Sequence, residues 1–323
     1  MLALLALTPV IPSFAPKAKD QAGLSVLVTG AAGRTGKLLY GYLKADPRIG
    51  EVRALVYGSG TGSPAERQKA KAALNCSACD ASEGIFYGDV TVPSSLTAAF
   101  DGMDTVAITT AVGGFGNDTK TREVELVGVE NQAAALVAGA DASKKHIVLC
   151  SAMGTGVSPF GPQPSHGPPS FLKVKGRLFG LSSPSSDPSP IPALSPLSFP
   201  HGTMCWMLSP NPSPNSPYQD IMFWKLNAEA FLGSSGIPNA IVKPCGLDAT
   251  YGRGGKQLLV GHDDQLPHLG EISREDTAAV MLEAVASRAS DLRFDLCVGN
   301  GAPTTSLPKL LDDARYKWQV KKA

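Results

Sequence analysis

The chain has 323 residues, 43% hydrophobic and 18% charged, the balance of a globular protein able to bury a sizeable core. A formal net charge of +1 excludes the strongly basic footprint of a nucleic-acid binder. No stretch reaches the roughly 18–20 apolar residues of a membrane-spanning helix, so no membrane span is expected.

Residues 1–22 stand apart. Met1 to Val10 is a short apolar run without an acidic residue, followed by Lys17 and Lys19. It has the hydrophobic region of a secretory signal but no basic segment before it. Ser13-Phe14-Ala15-Pro16 is similar to the Ala-Phe-Ala-Pro junction of plastid-targeting leaders. The expectation is a leader and a plastid location; the alternative is a frayed terminus or misassigned start, and a cytoplasmic protein.

Strands and helices then alternate, the signature of a parallel sheet covered on both faces. Leu24 to Thr29 reads as a strand. Arg34 to Lys44 reads as a helix, with Leu38, Leu39, Tyr42 and Leu43 at helical spacing. A strand follows at Val52 to Tyr57, broken by Gly58-Ser59-Gly60-Thr61-Gly62, and then a helix at Ala65 to Leu74. Strands at Ile85 to Tyr87, Thr105 to Thr109 and Ile147 to Cys150 are separated by helices at Ser94 to Phe100 and Val124 to Ala138. The crossovers should be right-handed. Between Pro159 and Pro217 lie fifteen of the 26 prolines, a dozen serines and four charged residues, with no period of two or 3.6. That composition predicts a disordered insertion. Helical spacing resumes at Ile221, with Phe223, Leu226, Ala230 and Phe231, followed by a strand at Ala240 to Val242. Ser273 and Asp276 mark the start of a later helix. The expected fold class is therefore α/β, a doubly wound parallel sheet of about seven strands. Residues 23–158 supply the first Rossmann part, 159–217 the Pro/Ser-rich insertion, and 218–323 the completion of the sheet and a small C-terminal lobe.

The chemistry is concentrated in Leu27-Val28-Thr29-Gly30-Ala31-Ala32-Gly33-Arg34-Thr35-Gly36-Lys37-Leu38. Gly30 permits a tight turn, Gly33 a close backbone approach to a pyrophosphate, and Gly36 close packing of helix on sheet. The helix then offers free N–H groups and its positive dipole end to phosphates. Gly30, Gly33, Arg34, Thr35 and Gly36 are accordingly cofactor-binding candidates. An NAD site usually has an acid at the end of the second strand, but that end reads Arg53-Ala54-Leu55-Val56-Tyr57. With Arg34 able to form a charge-assisted fork to a 2′-phosphate, and Arg53 counted beside it, NADP(H) is expected over NAD. Asp89, after the third strand, suits the adenine amino group or is simply a turn aspartate. Thr110 lines the pyrophosphate and ribose side.

The chain resembles the atypical short-chain dehydrogenase/reductases called NAD(P)-binding or NmrA-like, particularly their small plant and algal plastid members. The resemblance rests on VTGAAGRTG (28–36), VRALV (52–56), GDVT (88–91), DTVAITTAV (104–112), ENQAAA (130–135), KHIVLCSAMG (145–154), WKLNAEAFLGSSGIPNAIVKPCGL (224–247), LLVGHDD (258–264) and ISREDTA (272–278). It implies a serine after the fifth strand and a tyrosine four residues before a lysine. Lys225 holds the lysine place and is expected on the nicotinamide ribose; its plain alternative is an ion pair with Glu229 one turn on. Ile221 stands where the tyrosine belongs and cannot transfer a proton, and Tyr218 falls three residues too early. Ser151, or Ala152 in a shifted register, holds the serine place. Lys225 and Ser151 are thus the catalytic candidates. Lys243-Pro244-Cys245-Gly246-Leu247 matches the family's Arg-Pro-Gly-Gly loop, with Pro244 a cofactor contact and Cys245 expected to cost the loop backbone freedom.

The resemblance leaves two functions: an NADP(H)-dependent oxidoreductase on a small carbonyl or quinone-like substrate, or a non-catalytic NADP(H)-binding redox sensor or docking module with a protein partner. Cys76-Ser77-Ala78-Cys79 has no second pair or histidine cluster to complete a zinc site and no helix N-terminus to activate it, so it reads as an incidental loop. His146, His166, His201, His262 and His268 show no metal-ligand spacing, and His146 reads as structural.

Overall fold

In the computed structural model the described residues are 23–113, 117–155, 217–248, 251–266, 270–316 and 319. The leader and the Pro/Ser-rich block up to residue 216 lie outside them. The elements in chain order are β1 (Leu24–Thr29), α1 (Gly36–Ala45), β2 (Ile49–Tyr57), α2 (Pro64–Leu74), β3 (Ile85–Gly88), α3 (Thr97–Phe100), β4 (Thr105–Ile108), α4 (Asp118–Arg122), α5 (Gly128–Val137) and β5 (His146–Cys150). There follow α6 (Pro217–Ser234), β6 (Asn239–Pro244), β7 (Leu247–Asp248), β8 (Gln257–Gly261), β9 (Ile272–Ser273), α7 (Arg274–Ala286), β10 (Leu292–Gly299) and α8 (Leu307–Asp313).

The main sheet has eight strands in the order β3-β2-β1-β4-β5-β6-β10-β8. Every neighbouring pair is parallel except β10 with β8, which is antiparallel. The order reverses direction between β1 and β4, the place where a doubly wound sheet opens a crevice at its carboxyl edge. The expected seven strands are joined by the edge strand β8, and β7 and β9 form a separate parallel pair.

The alternation of side chains along a strand divides the core. Val26 and Val28 of β1 face one layer with Leu39, Tyr40 and Leu43 of α1 and Val280, Met281 and Leu282 of α7. Leu27 faces the other layer, with Phe100, Leu126, Val129, Trp224 and Phe231. α7 is buried on nearly every side, and Ser273 caps it by accepting the Asp276 N–H at 3.0 Å. α6 begins at Pro217, four residues ahead of the apolar spacing that marks it; a proline lacks only an N–H that the first turn leaves free anyway. Between α4 and α5 the helix widens into a π segment, Glu123–Val127, which carries the buried Glu125. Such wide turns interrupt the 3.6 period, commonly at functional positions.

Candidate dinucleotide site

The loop from Gly30 to Gly36 is built by close contacts that only glycine allows. Gly30 has φ +69, and a Cβ there would lie 2.8 Å from the Thr109 carbonyl oxygen. The Gly33 N–H donates to the Gly30 carbonyl at 2.8 Å, closing the turn. A Cβ on Gly36 would run into the same Gly30 carbonyl and come within 2.6 Å of Thr109 Oγ1. Thr109 in turn donates its hydroxyl to the Thr29 carbonyl at 2.7 Å, tying β4 to the mouth of the loop. α1 starts with Thr35 at its N-cap, without a side-chain cap and without an acid in the first turn. The Lys37 and Leu38 N–H groups turn back to the Gly33 and Thr35 carbonyls, both at 3.1 Å, and no protein carboxylate occupies the first turn, so the positive end of the helix is left for an anion. Thr110 adds a buried Oγ1 with no hydrogen-bond partner among the described residues. An orphaned hydroxyl beside a glycine cradle is the donor set a pyrophosphate or ribose would complete. Arg34 is exposed on this loop and bonds to no described residue.

Beyond the loop, β2 and β3 end on an open cleft of about 540 Å³. Tyr57 and Val92, 65% and 45% exposed, are the two large apolar side chains left in solvent among the described residues, and both line it. Their position suits the faces of a planar base. Asp89 lines the same cleft; its Oδ1 accepts from the Thr91 N–H and hydroxyl at 2.9 and 2.8 Å, while Oδ2 takes neither bond. Lys69 also lines it, with Nζ 5.8 Å from the Tyr57 ring centre. Tyr57, Lys69 and Val92 were not singled out by motif.

Two expectations need correction here. Arg53 does not reach the cleft. It lies four residues before the end of β2, and its guanidinium donates to the Asp101 carbonyl at 2.7 Å, pairs with Glu51 at 2.7 Å and covers Phe86. The end of β2 is also not free of acid. Glu66 reaches it from the first turn of α2, where it accepts the Ser59 and Ser63 N–H groups as part of a capping box. Those backbone bonds, Ser59 first, hold its carboxyl down to about 2. Both oxygens are thereby committed to the protein's own loop.

On the other side of the switch point, Lys225 is nearly buried and pairs with Glu125 at 2.8 Å, not with Glu229. Burial works to lower the Lys225 pKa, but the Glu125 charge and hydrogen bond outweigh it and the net shift is upward. Glu125 also accepts the Val112 N–H at 2.8 Å, so the π segment anchors the loop after β4. Ser151 follows β5 and donates its backbone N–H to the Val242 carbonyl at 2.8 Å. Its hydroxyl donates to Glu229, which also accepts from Thr155 at 2.9 Å and from Arg293 at 2.8 Å. With its one proton committed to a carboxylate, the Ser151 hydroxyl is set to accept and not to donate. Cys150 lies between these groups; burial pushes its thiol up to about 11, with Lys225 opposing.

Pro244 ends β6 and accepts the Met153 N–H at 2.9 Å. The preceding Lys243 is wholly buried between Asp264 at 2.9 Å and Asp295 at 3.0 Å, so its ammonium is spent within the fold. Cys245 is not among the residues with positive φ, and the expected cost of a side chain in place of glycine is absent there. Ile221 lies on α6 one turn before Lys225. Cys76 and Cys79 are joined as a disulfide, against their reading as an incidental loop.

With this geometry the comparisons agree. A family model described as NAD(P)H-binding matches residues 30–177. An uncharacterized chloroplastic protein of Arabidopsis thaliana is 27% identical over 318 residues, covering 91% of this chain and 77% of its own. Sanguinarine reductase of Eschscholzia californica is 27% identical over 310 residues, covering 83% and 88%. Among solved structures, a putative NAD-dependent epimerase/dehydratase from Bacillus halodurans superposes with a TM-score of 0.57 at 17% identity, over 90% of this chain and 100% of that one. The oxidoreductase ylbE from Lactococcus lactis superposes with a TM-score of 0.53 at 13% identity, over 90% and 96%.

Proposed function

We propose that this chain, which carries an NAD(P)H-binding family match and resembles a plant reductase, is an atypical short-chain dehydrogenase/reductase of the NmrA-like kind and an NADP(H)-dependent oxidoreductase acting on a small carbonyl or quinone-like substrate. The observation that carries the reading is the glycine cradle with the uncapped α1 terminus and the orphaned Thr110 hydroxyl. Gly30, Gly33, Thr35 and Gly36 would hold the pyrophosphate, Thr110 and Lys225 the ribose on the nicotinamide side, and Asp89 the adenine. Arg34, unengaged at the loop, is the 2′-phosphate ligand, and Pro244 borders the nicotinamide. The bound cofactor would supply the hydride. This chain's own residues orient and exclude water: Glu125 fixes Lys225, and Glu229 fixes Ser151. Because the Ser151 proton is already given to Glu229, the proton that balances a reduction comes from water or from the substrate. That a chloroplastic protein and a reductase are among the relatives supports a reductase and a plastid location for this chain.

A second reading, a non-catalytic NADP(H) sensor or docking subunit, is favoured by Ile221 in the place of a proton-transferring tyrosine. One experiment separates the two. Fluorescence titration with NADPH and NADH is followed by NADPH oxidation against a panel of quinones and aldehydes. Tight NADPH binding with turnover supports the oxidoreductase, tight binding without turnover the sensor, and no binding of either dinucleotide refutes both.

A further inference from the structure

We propose that the Cys76–Cys79 pair is a redox-modification site whose disulfide state sets the affinity of the adenine end of the dinucleotide cleft. This rests on the dinucleotide reading above. The pair lies in the loop between α2 and β3, flanked by the exposed Ser77 and Ala78. Cys79 is 1% exposed and Cys76 is half-buried, so a reductant meets Cys76 first.

The loop is held in a conformation that needs reinforcement. Cys79 has φ +53, a left-handed backbone that crowds a residue's Cβ against the following carbonyl. Glu83 accepts the N–H groups of Ser77 and Cys79, the latter at 2.8 Å. The disulfide closes the remaining side of the turn. In that conformation the Cys79 carbonyl accepts the Tyr87 hydroxyl at 2.7 Å, and the Ala78 carbonyl accepts from Arg67 at 3.4 Å.

Those two partners lead directly to the cleft. Arg67 Nε donates to the Gly62 carbonyl at 2.8 Å, and the Tyr87 ring lies 3.1 Å from where a Gly62 Cβ would stand. Gly62 has φ +63 and belongs to the loop whose Ser59 lines the cleft; Tyr87 is two residues before Asp89 on the opposite wall. Opening the disulfide lets Cys79 relax toward negative φ. It thereby withdraws a carbonyl from Tyr87 and loosens both walls.

The chemistry is thiol–disulfide exchange with a dithiol reductant. A thiolate of the reductant attacks Cys76 Sγ, the S–S bond breaks, and Cys79 Sγ leaves with the electron pair and takes a proton. The second thiol of the reductant then displaces Cys76, which is also protonated. The protein gains two electrons and two protons, and the reductant becomes a disulfide.

The test measures NADPH dissociation constants by fluorescence for the full chain, oxidised and after dithiothreitol, with alkylation and peptide mass analysis reporting the state of Cys76 and Cys79. Reduction should weaken NADPH binding roughly fivefold or more, the low end of coupling between distinct sites. C76S/C79S should bind like the reduced form with or without dithiothreitol. Y87F, which removes the link and leaves the pair intact, should bind weakly in both states. Equal affinity of oxidised and reduced wild type, with alkylation proving the reduction, overturns the proposal alone. Full alkylation of the pair even after oxidant overturns it too, since no disulfide then forms. If neither redox form binds NADPH or NADH, the dinucleotide reading itself fails and the control of affinity falls with it.

Discussion

His146 opens β5 with no solvent exposure, and its ring is an acid-sensitive element of the core. Nε2 donates to the Ala289 carbonyl at 2.7 Å, which leaves Nδ1 as the bare acceptor of a neutral ring, without a partner among the described residues. Burial is the main cause that brings its pKa down to about 4; nearby Arg288 adds to it, and the Ala289 bond opposes it. The unfolded chain protonates this histidine near 6.5. The folded value is depressed, so the native state is favoured by the neutral form. That contribution is complete above about pH 6.5 and is lost as the pH falls through 4. With those two values, linkage gives a loss of about 2 kcal/mol between pH 8 and pH 5. The raised carboxyls of Glu130 and Asp295, both shifted by burial, act in the opposite sense. The histidine share is therefore isolated by difference. His146→Gln keeps a donor for the Ala289 carbonyl and removes the titration. Urea unfolding at pH 8, 6.5 and 5 should show the wild type losing about 2 kcal/mol more than the variant, or about 0.7–1 M in midpoint at a slope of 2–3 kcal/mol/M. Equal losses in the two proteins would refute the reasoning.

Arg34→Ala should weaken NADPH about tenfold or more, by removing a charge-assisted bond to the 2′-phosphate. NADH affinity should barely change; an equal loss for both dinucleotides would remove Arg34 from that role. If a missing proton donor limits the chain, Ile221→Tyr should raise reductase turnover. Substantial wild-type turnover that survives Lys225→Ala would place the chemistry elsewhere. Lys243→Met leaves Asp264 and Asp295 as buried charges without their cation and should cost roughly 3–5 kcal/mol in urea unfolding at pH 7, the range for breaking a buried pair. A loss below 1 kcal/mol, an exposed pair's worth, would mean that water reaches these groups.

What could be read from the sequence is what contiguous residues build. The cradle from Gly30 to Gly36 is one strand end, one turn and one helix start, and each glycine answers to a contact inside that segment or to the neighbouring Thr109. The cleft proposed for the adenine is different in kind. Its walls come from Tyr57, Lys69, Asp89 and Val92, on two strand ends and a helix that the sheet order brings together. Only Asp89 stood in a recognisable motif. Arg53 was drawn into the site because the strand's end was read as a stretch of residues, when four more residues carry β2 past it to Tyr57.

Charge partners follow the same division. Lys225 and Glu229 sit one helical turn apart, which invites a local pair, yet each finds its partner across the fold, Lys225 with Glu125 and Glu229 with Arg293. The π turn that carries Glu125 breaks the period by which a buried face is recognised, so no spacing rule could have assigned it. The disulfide was missed for a related reason. Four-residue spacing allows many turns, and what selects this one is the left-handed Cys79, held by Glu83 and by Tyr87 from the next strand. Function in this chain therefore divides along a physical line. The phosphate end is encoded locally and tolerates no side chain at Gly30 or Gly36. The groups proposed for the catalytic end are set by contacts between distant segments, Lys225 with Glu125 and Ser151 with Glu229.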